Sequence, residues 1–384
     1  MIENNFPKLR FKNFKGNWNL KQLGSMCSEF KSGKYIKAEK IKEGGDFPVF
    51  GANGLRGYTD TYNHEGTYAL IGRQGALCGN VTLSYGKSYF TEHSIAVKAS
   101  DKNDTIFLYY LLDTMNLGQY SGQSAQPGLA VNKLLKLKKS IPDVKEQAKI
   151  GSFFKNLDDT MSLHQRELKA LKQTKQGFLQ KLFPKKNESV PEIRFNEFSG
   201  DWVESELGNH LIEYKNIVSN SEYSIATSSR KGLFLQEDYF NGKRSGIDQN
   251  LKFSLVPPNY ITYRHMSDDS TFHFNQNLME KPVLVSKEYP VFTTDESANI
   301  DFVLNVLNHS GSFSDFSHMQ KKGGTRVRLY FNVLKTYKIL MPCIEEQIKI
   351  GEFFRQLDEV IELKERELEA LKQTKKGFLQ KMFV

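Results

Sequence analysis

Residues 142–183 return as residues 342–383 at a constant offset of 200, without a gap and with more than half of the positions identical. A near-exact repeat of this length must fold twice in the same way, so it limits the architecture before any local motif is read. A shorter repeat opens each half. Pro7–Gly24 pairs with Pro191–Gly208 at an offset of 184, which aligns Arg10 with Arg194, Phe11 with Phe195, Trp18 with Trp202 and Gly24 with Gly208. The offsets of 200 and 184 make the intervening segment of the second half 16 residues longer. Those segments, roughly 25–140 and 209–340, show little mutual resemblance. The plan is constant, variable, constant, twice over.

The long repeat reads as a helix. Ile150, Phe154, Leu157, Met161, His164, Leu168, Leu171, Lys175, Phe178 and Leu182 follow alternating steps of four and three, and the second copy places Ile350, Phe354, Leu357, Ile361, Lys364, Leu368, Leu371, Lys375, Phe378 and Met382 on the same steps. That is a coiled-coil seam, and about 40 helical residues make a rod of roughly 60 Å. Two such rods in one chain pair most simply with each other, antiparallel. Asp143-x-x-Glu146 after Pro142 forms a candidate capping box, with Cys343 as a weaker cap in the second copy. The basic seam positions His164/Lys364 and Lys175/Lys375 either pin the register or snorkel to solvent. The resulting division is a first module over 1–141, a helix over 142–183, a proline-bounded linker over 184–191, a second module over 192–341 and a helix over 342–384.

The net charge of +9 over 384 residues points to an acidic partner, nucleic acid above all. It is uneven: residues 1–184 carry +11 and residues 185–384 carry −2. Three cysteines, Cys27, Cys78 and Cys343, form no CxxC pair, which argues against a disulfide framework and fits a reducing cytoplasm. The opening MIENNFPKLRF lacks the apolar core of a signal peptide, and no apolar run approaches the roughly 18 residues of a membrane span.

Both variable modules read as α+β domains with curved sheets: strand-like runs, then a helix (IFLYYLLDTM, IDFVLNVLNH), then a Gly/basic loop. Glycine lets a backbone approach a partner, while Arg and Gln offer forks matched to guanine and adenine edges. In the first module such loops are Gly51–Gly57 with Arg56, Gly72–Gly75 with Arg73 and Gln74, and Ser121–Gly128. In the second they are Ser228–Gly232 with Arg230 and Lys231, the Tyr263–His265 stretch with Arg264, and Lys321–Arg328 with Lys321, Lys322 and Arg326. Ordinary solvated turns are the competing reading.

Catalytic signatures fail on order, spacing or geometry. Val256-Pro257-Pro258-Asn259-Tyr260 reverses the Asn/Asp-Pro-Pro-aromatic loop of an amino-methyltransferase and reads as a strand-entry turn. Pro142-Asp143 with Glu167-Leu168-Lys169 imitates a nuclease metal site. Asp143 and Glu167, however, stand 24 residues apart along one helix, about 36 Å, too far to share an ion. No GxxxxGK[ST] loop is present, and His93 and His273 read as strand residues rather than ligands. No metal site and no catalytic residue is expected on this chain.

Two dissimilar modules, each followed by an EQxxI…LD…ELxALKQTKxGFLQKxF helix, resemble the specificity subunit of type I restriction–modification enzymes. PxxRFxxFxGxW, FGANGLRGYTD, LIGRQGALCGNV and SGQSAQPGL resemble that family's target-recognition domains, whereas the second module carries MQKKGGTRV in place of the last. The resemblance implies a DNA-recognition scaffold without catalysis. Its two target-recognition domains would read the halves of a split, asymmetric double-stranded target, and its paired helices would dock two methyltransferase (M) subunits. Restriction/translocase (R) subunits would join them, with S-adenosylmethionine, ATP and magnesium held by the partners and no cofactor by this chain. Phe154, Leu157, Leu168, Leu171 and Phe178, with Phe354, Leu357, Leu368, Leu371 and Phe378, would form the scaffold. The alternatives are a coiled-coil assembly protein that does not bind DNA and a DNA methyltransferase with a degenerate site.

Overall fold

The computed structural model describes residues 6–122, 128–219, 223–240, 242, 251–321 and 326–384. The chain forms two compact units, Met1–Arg166 with Glu365–Val384 and Glu167–Lys364. Their boundary does not follow chain order. It cuts both long helices, Val144–Lys181 and Ile344–Met382, near their middles.

In each unit the constant segments close around the variable module. Strand Asn19–Gln22 pairs antiparallel with Lys138–Ile141, and Val203–Glu206 pairs with Lys338–Met341 in the same way. The opening repeat thus pairs with the strand that immediately precedes each long helix, and each module loops out from a two-stranded clasp. Gly24 and Gly208 permit this closure: a Cβ there would press on Leu135 at 3.2 Å and on the Lys335 Cβ at 2.7 Å. The buried Trp18 and Trp202 pack edge-on against Phe107 and Phe302, which seats each opening segment in its module's core.

The first module folds into two four-stranded sheets. One is antiparallel in the order Cys27–Ser32, Ser94–Ala99, Tyr68–Gly72, Val81–Ser84. The other runs Gly54–Thr59, Phe47–Gly51, Lys87–Phe90, His64–Glu65, with one parallel pair. Register shifts at Cys27/Glu29 and Val49/Phe50 bend the strands. Helix Thr105–Thr114 packs on the first sheet, its N-terminus capped by Asp104, which accepts from the Phe107 N–H at 2.7 Å.

The second module builds different sheets, a four-stranded one in the order Leu211–Glu213, Val291–Thr294, Ile261–Tyr263, Phe274–Gln276 and a three-stranded one around Lys252–Val256. Helix Ile300–His309, capped by Asn299, takes the place of the first module's helix. Pro257 and Pro258 lead the turn between two strands, as their order suggested. The fold is α+β with a repeated frame.

The long helices pair antiparallel inside each unit. In the first, Phe153 meets Phe378 edge-on at 5.2 Å and Lys375 reaches Asp158 at 2.6 Å. In the second, Phe178 meets Phe353 at 5.0 Å and Lys175 reaches Asp358 at 2.5 Å. His164 and Lys364 likewise face Glu367 and Glu167 at 3.5 and 3.4 Å. The basic seam residues Lys175, Lys364 and Lys375 are thus paired across the helices rather than merely snorkelling, while His164 faces Glu367. Phe154 and Phe354 are fully buried and Leu368 nearly so, while Leu157, Leu168, Leu171, Phe178, Leu357, Leu371 and Phe378 are half-buried along the stripe. Phe154 also stacks toward Tyr110 at 5.1 Å, so its seam position serves its module's core as well.

The helix starts carry a device that the capping-box reading missed. Asp143 does cap, accepting from the Glu146 N–H at 3.0 Å. Glu146 does not reach back, however. It is fully buried and accepts two bonds from Arg10, both at 2.6 Å, while Arg10 also donates to the Gly16 carbonyl. Arg194 and Glu346 repeat this fork at 2.8 and 2.6 Å. The neighbouring Gln147 accepts from the Asp104 N–H and Gln347 from the Asn299 N–H, both at 3.0 Å, tying each long helix to the capping residue of its module helix.

Candidate nucleic-acid interface

In the first unit, three separate stretches converge on one corner. The hairpin Phe47–Gly51/Gly54–Thr59 brings its turn against the loop after strand Tyr68–Gly72: a Cβ on Gly72 would lie 2.4 Å from the Ala52 carbonyl oxygen, so only glycine fits. The Arg73 N–H donates to the His93 carbonyl at 2.8 Å, and the Arg73 carbonyl accepts from the Leu129 N–H at 2.9 Å. Gln74 bridges Gly128. Arg73, Gln74 and Gly128 are therefore joined, with the turn that precedes Arg56 packed beside them, while Gln123–Pro127 lie outside the described residues.

Two sequence readings change here. Arg56 stands on strand Gly54–Thr59, exposed, rather than in a loop. His93 occupies the turn before strand Ser94–Ala99 and is not a strand residue. Its Nδ1 lies 2.9 Å from Gln74 Oε1 and its Nε2 lies 3.2 Å from Glu92. The imidazole thereby contacts the Gln74 amide through its oxygen. Arg73 is half-buried and Gln74 exposed.

In the second unit, a cleft is lined by Ser228, Arg230, Arg264, Asp268, Thr271 and His273. Arg230 and Lys231 form the exposed tip of the hairpin Ala226–Ser229/Gly232–Leu235. Asn275 holds that hairpin down, donating to Ser228 Oγ at 2.7 Å and to the Ser229 carbonyl at 2.9 Å. His273 precedes strand Phe274–Gln276 instead of lying within it, and burial lowers its pKa, with Arg230 adding to the effect. Arg230 bonds Asp269 at 2.5 Å and Arg326 bonds Asp268 at 3.0 Å. The Ser267 hydroxyl, then Arg230 and the Thr271 N–H, hold the Asp269 carboxyl well below the usual carboxylate range. Arg264, Lys231 and Lys321 are exposed, and Lys322 lies outside the described residues.

Sequence reasoning missed the frame residues Arg10, Glu146 and Gln147, and also Asp268, Asp269, His93 and Asn275. Identity of the Glu-Gln pair between the helix copies was a signal for the frame. His93 was singled out only as a strand residue, and nothing in the sequence marked Asp268, Asp269 or Asn275. Among the described residues, no group of three His, Cys, Asp or Glu side chains is placed to hold a metal ion, and no helix is long and apolar enough to cross a membrane. Burial pushes the Cys27 thiol up to about 12, which leaves it un-ionised at neutral pH.

Two unlike surfaces of exposed arginines, lysines and amides, each set on the same clasp-and-helix frame, define a duplicated recognition scaffold. A family model for the type I restriction modification DNA specificity domain matches residues 15–173 and again 200–373. The chain belongs to this family and carries two copies of its DNA specificity domain. It is 40% identical over 154 residues to the EcoprrI type I restriction enzyme specificity subunit of Escherichia coli, a match that covers 39% of this chain and 38% of that one. It is 22% identical over 424 aligned residues to the putative MjaX specificity subunit of Methanocaldococcus jannaschii, with 98% and 95% of the two chains covered. The fold is that of the type I restriction–modification S subunit from M. genitalium, with a TM-score of 0.68 at 16% identity over 99% of both chains.

Proposed function

We propose that this chain is the DNA sequence-specificity subunit of a type I restriction–modification complex, reading a split, asymmetric target with one module per half. The observation that carries this is the pairing of a constant frame with two different reading surfaces. Arg56, Arg73 and Gln74 belong to one unit, and Arg230, Lys231, Arg264, Lys321, Lys322 and Arg326 to the other. Unlike surfaces on a like frame suit unlike half-targets. The near-identical helix copies suit two copies of one partner, the methyltransferase subunits. Restriction/translocase subunits would complete the complex, and S-adenosylmethionine, ATP and magnesium would serve on those partners. A cytoplasmic setting follows from that role.

Base-edge contacts and phosphate contacts differ in what their loss does. Arg73→Ala and Arg326→Ala are expected to alter sequence preference in their respective half-targets. Lys231→Ala is expected to weaken binding to all duplexes alike and to lower its salt slope by about 1. Selection from random duplexes by wild type and variants measures both. If neither arginine variant changed preference or affinity, these surfaces would not be the interface. The helices would set the spacer between half-targets, so lengthening both by matched insertions should change the tolerated spacer.

A further inference from the structure

Asp268 and Asp269 stand where a DNA-binding face should least tolerate them. Both are exposed, and both lie beside the cleft of the second unit. Each is engaged by an arginine from a different stretch of chain: Asp268 Oδ1 accepts from Arg326 Nε at 3.0 Å, and Asp269 Oδ2 accepts from Arg230 Nη2 at 2.5 Å. Asp269 is itself anchored on its other oxygen, by the Ser267 hydroxyl at 2.8 Å and the Thr271 N–H at 3.1 Å. Both arginines remain more than half exposed, at 64% and 58%.

Exposed ion pairs add little to stability, and a carboxylate near phosphates opposes binding. Orientation is the remaining effect. With Nε held by Asp268, Arg326 keeps its two terminal amino groups free to donate in parallel. With Nη2 held by Asp269, the remaining donors of Arg230 point away from the carboxylate. A planar guanidinium fixed in this way matches the paired acceptors O6 and N7 of guanine, whereas a phosphate needs no such fixing. Arg264, which makes no ion pair among the described residues, is the contrasting case and suits a phosphate.

We propose that Asp268 and Asp269 are positioning residues, and that Arg326 and Arg230, presented by them, each read the O6/N7 edge of a guanine, so that the half-target of this module contains G·C pairs. The inference rests on the DNA-recognition reading above.

The full-length chain is used to select from a pool of random duplexes, alongside Asp268→Asn and Asp269→Asn. The wild type should enrich a half-target with guanines, and each variant should lose roughly tenfold of its preference for guanine at one position while keeping its salt slope. As a check on the unaltered protein, 7-deazaguanine, which lacks N7, should weaken binding roughly tenfold at those positions. The proposal falls if the second module selects a half-target without guanine, or if 7-deazaguanine binds as well as guanine. It also falls if both variants simply bind every sequence more tightly, since the aspartates would then only repel phosphate. A wild type that enriches no sequence would overturn the recognition reading itself, and this inference with it.

Discussion

At the scale of single residues, the repeat conserves interactions that no local pattern announces. Glu146 and Glu346 are buried carboxylates whose charge is compensated by Arg10 and Arg194. Removing one partner of such a pair strands the other charge, so Arg194→Ala is expected to cost about 3–5 kcal/mol. Arg194→Met with Glu346→Leu should cost far less, and urea unfolding of both variants distinguishes the two outcomes. Two buried histidines set an acid limit. Burial holds His64 below its ordinary 6.5 despite the Glu29 carboxylate at 2.9 Å, and burial does the same to His265. The unfolded chain therefore takes up these protons first as pH falls. Stability should be fully present above about pH 7 and decline below 6.5, and His64→Gln should flatten part of that slope in urea midpoints at pH 7.5 and 5.5.

At the scale of elements, one helix sequence contains two glycines with opposite roles. A Cβ on Gly351 would come within 2.4 Å of Asn299 Oδ1, the atom that caps helix Ile300–His309, and one on Gly151 within 2.9 Å of Asp104 Oδ1. Gly177 and Gly377 have nothing within 4 Å. Gly351→Ala should therefore destabilise by about 1–3 kcal/mol through overpacking, although alanine is the better helix former. Gly377→Ala should stabilise by up to about 1 kcal/mol. Thermal melts of the two variants read this sign difference directly. The seam was legible because its four-three steps are a property of the helix alone. That Phe154 would turn partly into a module core was not, because burial depends on what the rest of the chain lays against it.

At the scale of the whole molecule, each unit contains one half of each long helix, and the first takes its second half-helix, Glu365–Met382, from the far end of the chain. The Val144–Lys181 helix carries both sides of the contact, since Phe153 and Asp158 meet Phe378 and Lys375, whose repeat equivalents are Phe178 and Lys175. A chain ended at residue 184 should therefore pair with a second copy, Phe153 on Phe178 and Asp158 on Lys175. Analytical ultracentrifugation should show a dimer, and Lys175→Glu should shift it toward monomer. The sequence by itself determined the duplication, the helices, the variable modules and the glycine-bearing basic stretches, because each follows from periodicity, composition or chain identity along a line. Only the tertiary structure decided that the opening and closing constant segments clasp each other. It alone packed the turn before Arg56 against the loop that carries Arg73, and it set Asp269 against Arg230, 39 residues away in the chain, and Asp268 against Arg326, 58 away. Contacts between distant segments depend on how sheets and caps close around a core, and one-dimensional spacing holds no record of that closure.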